Sequence, residues 1–355
     1  MSAAAHGSLH AIVGPVPLIP GKLDALQSYN DTWRGWPVLP LKQQHPIRGS
    51  FLDPRPDPRR GAVYHTGVDV AVRDDRPERG APPGRTHRVY AIEGGLVHSA
   101  TPRGLVGAAR IGHFGYGHMD CLVEAGQTVR PGQHIGWTSQ GYWHVHLSEF
   151  IFTGGGSSLV VNPLRRGGKL HPYVDRAAPH ILEIRYCAPA TPRWKRRLGT
   201  TVALLPQAGR RLNKAALAGK VDVRVRVSDP QTFIGWFRHI PRLAAPHHPF
   251  RLSVTIVRLA TGRVVRRHEA FRAEQLLEMP AGQHFAPGTE QNLPANGCML
   301  FHRTLRCDGV YWFRLFPSPY WDTTRLPNGR YRLRFRAWDV AGNMSKADSI
   351  VTVKN

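Results

Sequence analysis

Two short motifs carry the residue types from which a metal centre can be built. His65-Thr-Gly-Val-Asp69 places two metal-binding side chains four residues apart, a separation of about 13 Å along a straight strand. Metal bonds of about 2.0–2.2 Å need both donors at one point. The chain must therefore fold back between them, and Gly67 is the residue that permits this. Trp143-His-Val-His-Leu sets His144 and His146 on the same side of a strand, because strand side chains alternate with period two. If His146 completes a set with His65 and Asp69, three protein ligands leave a fourth position for water, the arrangement of catalytic rather than structural zinc. Such a site lowers the pKa of its water toward about 7 and polarises a substrate carbonyl, so that hydroxide attacks a peptide bond at neutral pH. His144, and His118 in Gly115-Tyr-Gly-His118, are the candidates for moving a proton and for supporting a developing oxyanion. The sequence leaves open which does which.

The chain has 19 histidines, so any one of them alone reads as a surface or core residue. The ordered set of His65, Asp69, His118, His144 and His146 is what singles out these five. His87, His98, His113 and His134 hold no motif position and are expected to be structural or surface residues. His268-Glu-Ala-Phe-Arg272 is not a His-Glu-x-x-His zinc motif, because an arginine stands where the second histidine is needed.

Strands and turns are expected to position the set. In 355 residues, 41% hydrophobic, the 36 glycines and 30 prolines favour a turn-rich, mainly β protein, and the length favours two domains. Strands are predicted over 63–72, 88–92, 95–98, 108–113, 133–137 and 144–152, most of them separated by glycine or proline turns. The charged loop 73–87 is expected to be solvent-exposed and to form one wall of a cleft. A basic, turn-rich stretch follows Leu164, giving a leading segment 1–35, a first domain 36–170, a linker 171–179 and a second domain 180–355. In the second domain, 220–229 alternates Val221, Val223, Val225 and Val227 with polar residues and predicts a strand with one buried face. Residues 250–256 repeat the pattern, and 330–339 sets Tyr331, Leu333, Phe335 and Ala337 against Arg332, Arg334 and Arg336.

His-x-Gly-x-Asp at 65–69, Tyr-x-His at 116–118 and His-x-His at 144–146 occur in the order of the signatures of the lysostaphin-type zinc endopeptidases, which the chain resembles over residues 40–165. The likeness extends to Val89-x-Ala91 with Gly95-x-Val97, and to the run from Gly126 to Gly136. The resemblance implies that His65, Asp69 and His146 bind Zn2+, that His118 and His144 are catalytic, and that the substrate is a peptide bond of bacterial peptidoglycan. His-Val-His-Leu-Ser-Glu stands where the family has His-Leu-His-Phe-Glu, a difference that bears on substrate specificity. The closing run from Gly329 through Ala-Trp-Asp-Val-Ala-Gly-Asn343 to Val353 resembles the last two strands of bacterial immunoglobulin-like domains. The fold these likenesses imply is all-β: an antiparallel metallopeptidase domain of the lysostaphin, or duplicated-hybrid-motif, type, then an immunoglobulin-like β-sandwich with an insertion near 272–318.

A formal charge of +24 attracts polyanions at low salt. Peptidoglycan or another anionic wall polymer is the expected partner, engaged by the runs 193–197 and Arg332, Arg334 and Arg336. No recognised nucleic-acid motif accompanies the charge, so no specific nucleic acid is expected. The rival expectation is a catalytically silent wall-binding or regulatory protein, against which the retention of all five polar positions argues. The substrate implies the cell envelope or the exterior, although no signal peptide is recognisable and no apolar run reaches the roughly 20 residues of a membrane helix. Of the four cysteines, Cys298 and Cys307 are the plausible disulfide partners, and two reduced thiols are an equal alternative.

Overall fold

The computed structural model describes residues 35–57, 61–73, 76–154, 157–189, 194–197, 200–203, 209–232, 246–278, 281–289, 309–316 and 320–355. The leading segment to residue 34, Cys298, Cys307 and the side chains of the basic run 193–197 lie outside the described residues.

In chain order the strands are β1 (Ile47–Gly49), β2 (Pro54–Asp57), β3 (Gly61–Tyr64), β4 (Val68–Ala71), β5 (Arg85–Tyr90), β6 (Gly95–Ala100), β7 (Val106–Ile111), β8 (Phe114–Cys121), β9 (Thr128–Val129), β10 (His134–Ser139), β11 (His144–Gly154) and β12 (Ser157–Val161). The second half adds β13 (His180–Cys187), β14 (Trp194–Arg197), β15 (Thr200–Ala203), β16 (Lys220–Ser228), β17 (Arg251–Arg258), β18 (Val264–Arg272), β19 (Tyr311–Arg314), β20 (Trp321–Asp322), β21 (Gly329–Trp338) and β22 (Met344–Val353). One four-residue helix, α1 (Ala281–His284), accompanies them among the described residues. The chain is all-β, with long antiparallel strand pairs. Among the described residues no helix is long and apolar enough to cross a membrane.

The chain divides into two compact units, residues up to Arg48 with Thr66–Tyr173, and Gly49–His65 with Val174–Asn355. The first unit holds a ten-stranded sheet whose main path runs β1-β4-β11-β8-β7-β6-β9, with β12 on β11 and β10 joining β8 to β5. Its core follows the strand period: Val145 and Leu147 of β11, Val68 and Val70 of β4, and Phe114 and Tyr116 of β8 are all fully buried. Trp36 is also fully buried, its indole N–H donating to the Pro172 carbonyl at 3.1 Å. Glu149, likewise buried, is held by the Arg165 fork at 2.7 and 2.8 Å. Burial pushes the Glu149 carboxyl up, and the hydrogen bond from Arg165 opposes that.

Three details differ from the sequence expectations here. Thr86 and His87, expected in the exposed loop 73–87, are buried in β5. The stretch 63–72 is two strands broken at residues 65–67, and β8 is a strand that the sequence pattern did not predict.

In the second unit, β13-β16-β19 with β20, and β18-β17-β21-β22, form two four-stranded sheets. Phe271 of β18 and Phe313 of β19 touch with ring centroids 5.0 Å apart, and Phe285 lies 4.9 Å from Phe313. The described parts of 272–318 thus supply α1, β19 and core aromatics to this unit. β21 keeps one buried face, with Arg334 and Arg336 exposed on the other. β16 does not: both of its faces are buried, because Asp222 is clasped by Arg224 of the same strand at 2.7 Å and by Arg314 of neighbouring β19 at 3.1 Å. Asp222 and Arg224 therefore belong to an internal ion-pair network, where the alternation alone read a solvent face.

Candidate metal centre

β11 lies between β4 and β8, so His146 stands opposite Asp69 on one side and Gly117 on the other. Directly opposed residues share a face of the sheet, and Asp69, only 3% exposed, becomes the buried carboxylate at the centre of the group. The bend at 65–67 returns the chain so that one donor atom each of His65, Asp69 and His146 lie within 4.8 Å of one another. Donor atoms of Asp69, His118 and His144 meet the same limit. All five residues picked out in the sequence are brought together around Asp69.

Each of three imidazoles has one nitrogen anchored and the other turned inward. His65 Nδ1 lies 2.9 Å from the Ser50 carbonyl and His144 Nδ1 lies 2.6 Å from the Tyr142 carbonyl. A carbonyl only accepts, so these nitrogens carry the N–H and the Nε2 lone pair is left to act as ligand or base. His144 Nε2 is 3.6 Å from Asp69 Oδ1. His146 is turned the other way, with Nε2 2.9 Å from Ser148 Oγ and Nδ1 3.2 Å from Asp69 Oδ1. A tetrahedral ion with bonds near 2.0 Å sets its donors about 3.3 Å apart, so this last pair already has the spacing of two ligands on one ion. Two imidazoles and a buried carboxylate, with the far side of each ring hydrogen-bonded, fit a metal ion.

Gly67 works differently from the sequence expectation. It is not among the positive-φ glycines, so conformational freedom is not what the site draws on. A Cβ there would stand 2.4 Å from the Leu147 carbonyl oxygen and 2.8 Å from His146 Nε2. Gly67 fits because β11 and the His146 ring occupy the space of a side chain.

His118 reaches the group through a fault in β8. β7 pairs Gly107 with Met119 but Ala108 with Gly117, leaving His118 as an extra residue. Burial slips phase at the same place: Phe114 and Tyr116 point inward before it, Met119 and Cys121 after it. His118 is thus the bulged residue, at φ 63°, a backbone conformation that disfavours side chains other than glycine. Its ring stacks on Tyr142 at 4.0 Å and meets His144 edge-on at 4.8 Å. Among the described residues, three non-glycines have positive φ: Leu52, His118 and Trp143. Leu52 N–H donates to the His65 carbonyl at 2.9 Å and Trp143 precedes His144, so all the strain of this kind adjoins the five residues.

Compared with family models, with curated proteins and with solved structures, the chain matches none.

Ser148, Tyr142 and Ser50 were not picked out from the sequence. For the first two a signal exists: Tyr142, His144, His146 and Ser148 follow one another at period two. Ser50 acts through its carbonyl and leaves none. Arg48 steadies the approach to β11, its Nη1 donating to the Tyr142 and Trp143 carbonyls at 3.4 Å each. The histidines without a motif position stay out of the group: His113 pairs with Glu93 at 2.9 Å, His134 lies against the Gly136 carbonyl, and His87 meets Trp143 edge-on. His98 is held below its ordinary pKa by burial. His268 stacks on Phe316 at 4.9 Å, in the second unit.

Proposed function

We propose that the chain is a zinc-dependent endopeptidase that hydrolyses peptide bonds in bacterial peptidoglycan. The observation that carries this reading is the convergence of His65, His146, His118 and His144 on one buried carboxylate, Asp69. His65, Asp69 and His146 would hold Zn2+, with an open position for water. When bound, zinc supplies an acidified water and a Lewis acid for the scissile carbonyl.

The protein's own residues supply the rest. Asp69 and His146 would present their donors from paired strands β4 and β11, and His65 from the bend that precedes β4, its ring held by the Ser50 carbonyl. His144, its Nδ1–H committed to the Tyr142 carbonyl, offers Nε2 to take a proton from the attacking water and return it to the leaving amine. His118, held on Tyr142 by stacking, is placed to donate to oxygen as charge develops there. In this reading the first unit has the antiparallel fold of the lysostaphin-type peptidases, and the two sheets of the second form an immunoglobulin-like sandwich. The +24 charge favours an anionic wall polymer as partner, and the substrate places the protein at the cell envelope or outside the cell.

The test is the release of new amino groups from purified peptidoglycan by zinc-loaded protein, with a chelated sample and His144→Ala as controls. Chelator-sensitive release that His144→Ala abolishes is the expected result. No release by folded, zinc-bound protein across several wall types would overturn the peptidase reading.

A further inference from the structure

The strand pair that delivers His65 is fastened to the second unit. β2 and β3 pair from Pro54–Tyr64 to Asp57–Gly61 as a two-stranded sheet of their own, and the segment Gly49–His65 belongs with Val174–Asn355. Three contacts fasten it. The Tyr64 hydroxyl lies 2.5 Å from His284 Nδ1, in α1. The Tyr64 ring meets Phe285 edge-on at 6.5 Å. The Phe51 carbonyl lies 2.9 Å from His248 Nε2. Tyr64, His284, His248, Phe285 and Phe51 are all buried.

From these anchors the connection to His65 is short and stiff. Tyr64 is its covalent neighbour. The His65 N–H donates to the Asp53 carbonyl and its carbonyl accepts from Leu52, each at 2.9 Å. Its ring is held by the Ser50 carbonyl. Leu52 sits at φ 67° while fully buried, a strained conformation that persists only where its surroundings over-determine it. Burial lowers the His284 pKa to about 4, so the ring is neutral at physiological pH and its Nδ1 can accept from the phenol. Ligand distances tolerate about 0.2 Å, and residues that orient a ligand typically contribute 10–100-fold to metal affinity.

We propose that Tyr64 and His284 are positioning residues for the ligand His65. The inference rests on the metal reading of His65, Asp69 and His146.

Zinc affinity, measured by competition with a chromophoric chelator, and the visible spectrum of the cobalt-substituted protein test it in the full-length chain. Tyr64→Phe and His284→Phe are expected to lower zinc affinity about tenfold or more and to change the cobalt bands. His284→Asn, which keeps an acceptor near the Nδ1 position, is expected to restore much of the affinity. Met344→Ala, at an exposed position of β22 in the same unit, serves as control and should bind as wild type does. Affinities within twofold of wild type and unchanged cobalt spectra in both Tyr64→Phe and His284→Phe would overturn the positioning role alone. A wild-type chain that bound no zinc would overturn the metal reading and this inference with it.

Discussion

Gly67→Ala adds one methyl group and should sharply weaken the proposed zinc binding. The new Cβ would lie 2.4 Å from the Leu147 carbonyl oxygen, and 2.8 Å from both the Leu147 carbonyl carbon and His146 Nε2, where ordinary contact begins at 3.4 Å. Relief requires a retreat of about 1 Å. Two of the three obstructing atoms are backbone, and β4 is tied to β11 through the pairs Leu147–Val68 and His146–Asp69, so rotating a side chain cannot provide it. Overpacking of this kind destabilises by about 1–3 kcal/mol, small enough that the protein should still fold. The ligand geometry is far less tolerant: a displacement of about 1 Å is several times the roughly 0.2 Å that a metal site absorbs. Zinc affinity should therefore fall about 100-fold or more. Chelator competition gives the affinity, and thermal melts of the metal-free protein give the stability. A Gly67→Ala protein that binds zinc as tightly as wild type would refute the steric account of this glycine.

Other outcomes follow from the same structure. His118→Ala should retain zinc while losing at least about 100-fold in turnover on peptidoglycan, and wild-type turnover would remove His118 from the chemistry. Ser148→Ala leaves His146 Nε2 without its 2.9 Å partner and should weaken zinc binding by about tenfold in the same competition assay. Arg165→Ala strands the buried Glu149 carboxylate and should cost about 3–5 kcal/mol in denaturant unfolding. His45 and His284 are both lowered from 6.5 to about 4 by burial, so between those pH values the unfolded chain binds more protons than the folded one and stability falls with acidification. Each contributes a loss of about 2–3 kcal/mol between pH 7.5 and 4.5. Metal-free His45→Gln should show a flatter fall in unfolding midpoint than wild type over that range.

The group that could hold a metal was legible in the sequence because its residues sit close together in the chain, four apart at 65–69 and two apart at 144–146, and local spacing survives folding. Strands such as 330–339 were legible for the same reason, their alternation reporting one buried face. What escaped detection is non-local. No residue near Asp222 announces that Arg314 closes on it from β19, so the second face of β16 looked like a solvent face. Nothing in 49–65 indicates that this segment is held by His248 and His284, some 200 residues onward. β8 was missed because the extra residue at His118 breaks the alternation by which strands are recognised. Gly67 was recognised as necessary, but for flexibility, because the strand that crowds it lies 80 residues away in the chain.

The bulge at His118 has a consequence for how such a chain changes over generations. Deleting that single residue would let Gly117 and Met119 continue the ladder with β7 in one register and would relieve a left-handed backbone position. Loss of one codon would then repair the sheet while erasing a reactive side chain. In the peptidase reading proposed above, a descendant with that deletion would be better folded and inert, still carrying the motifs at 65–69 and 144–146.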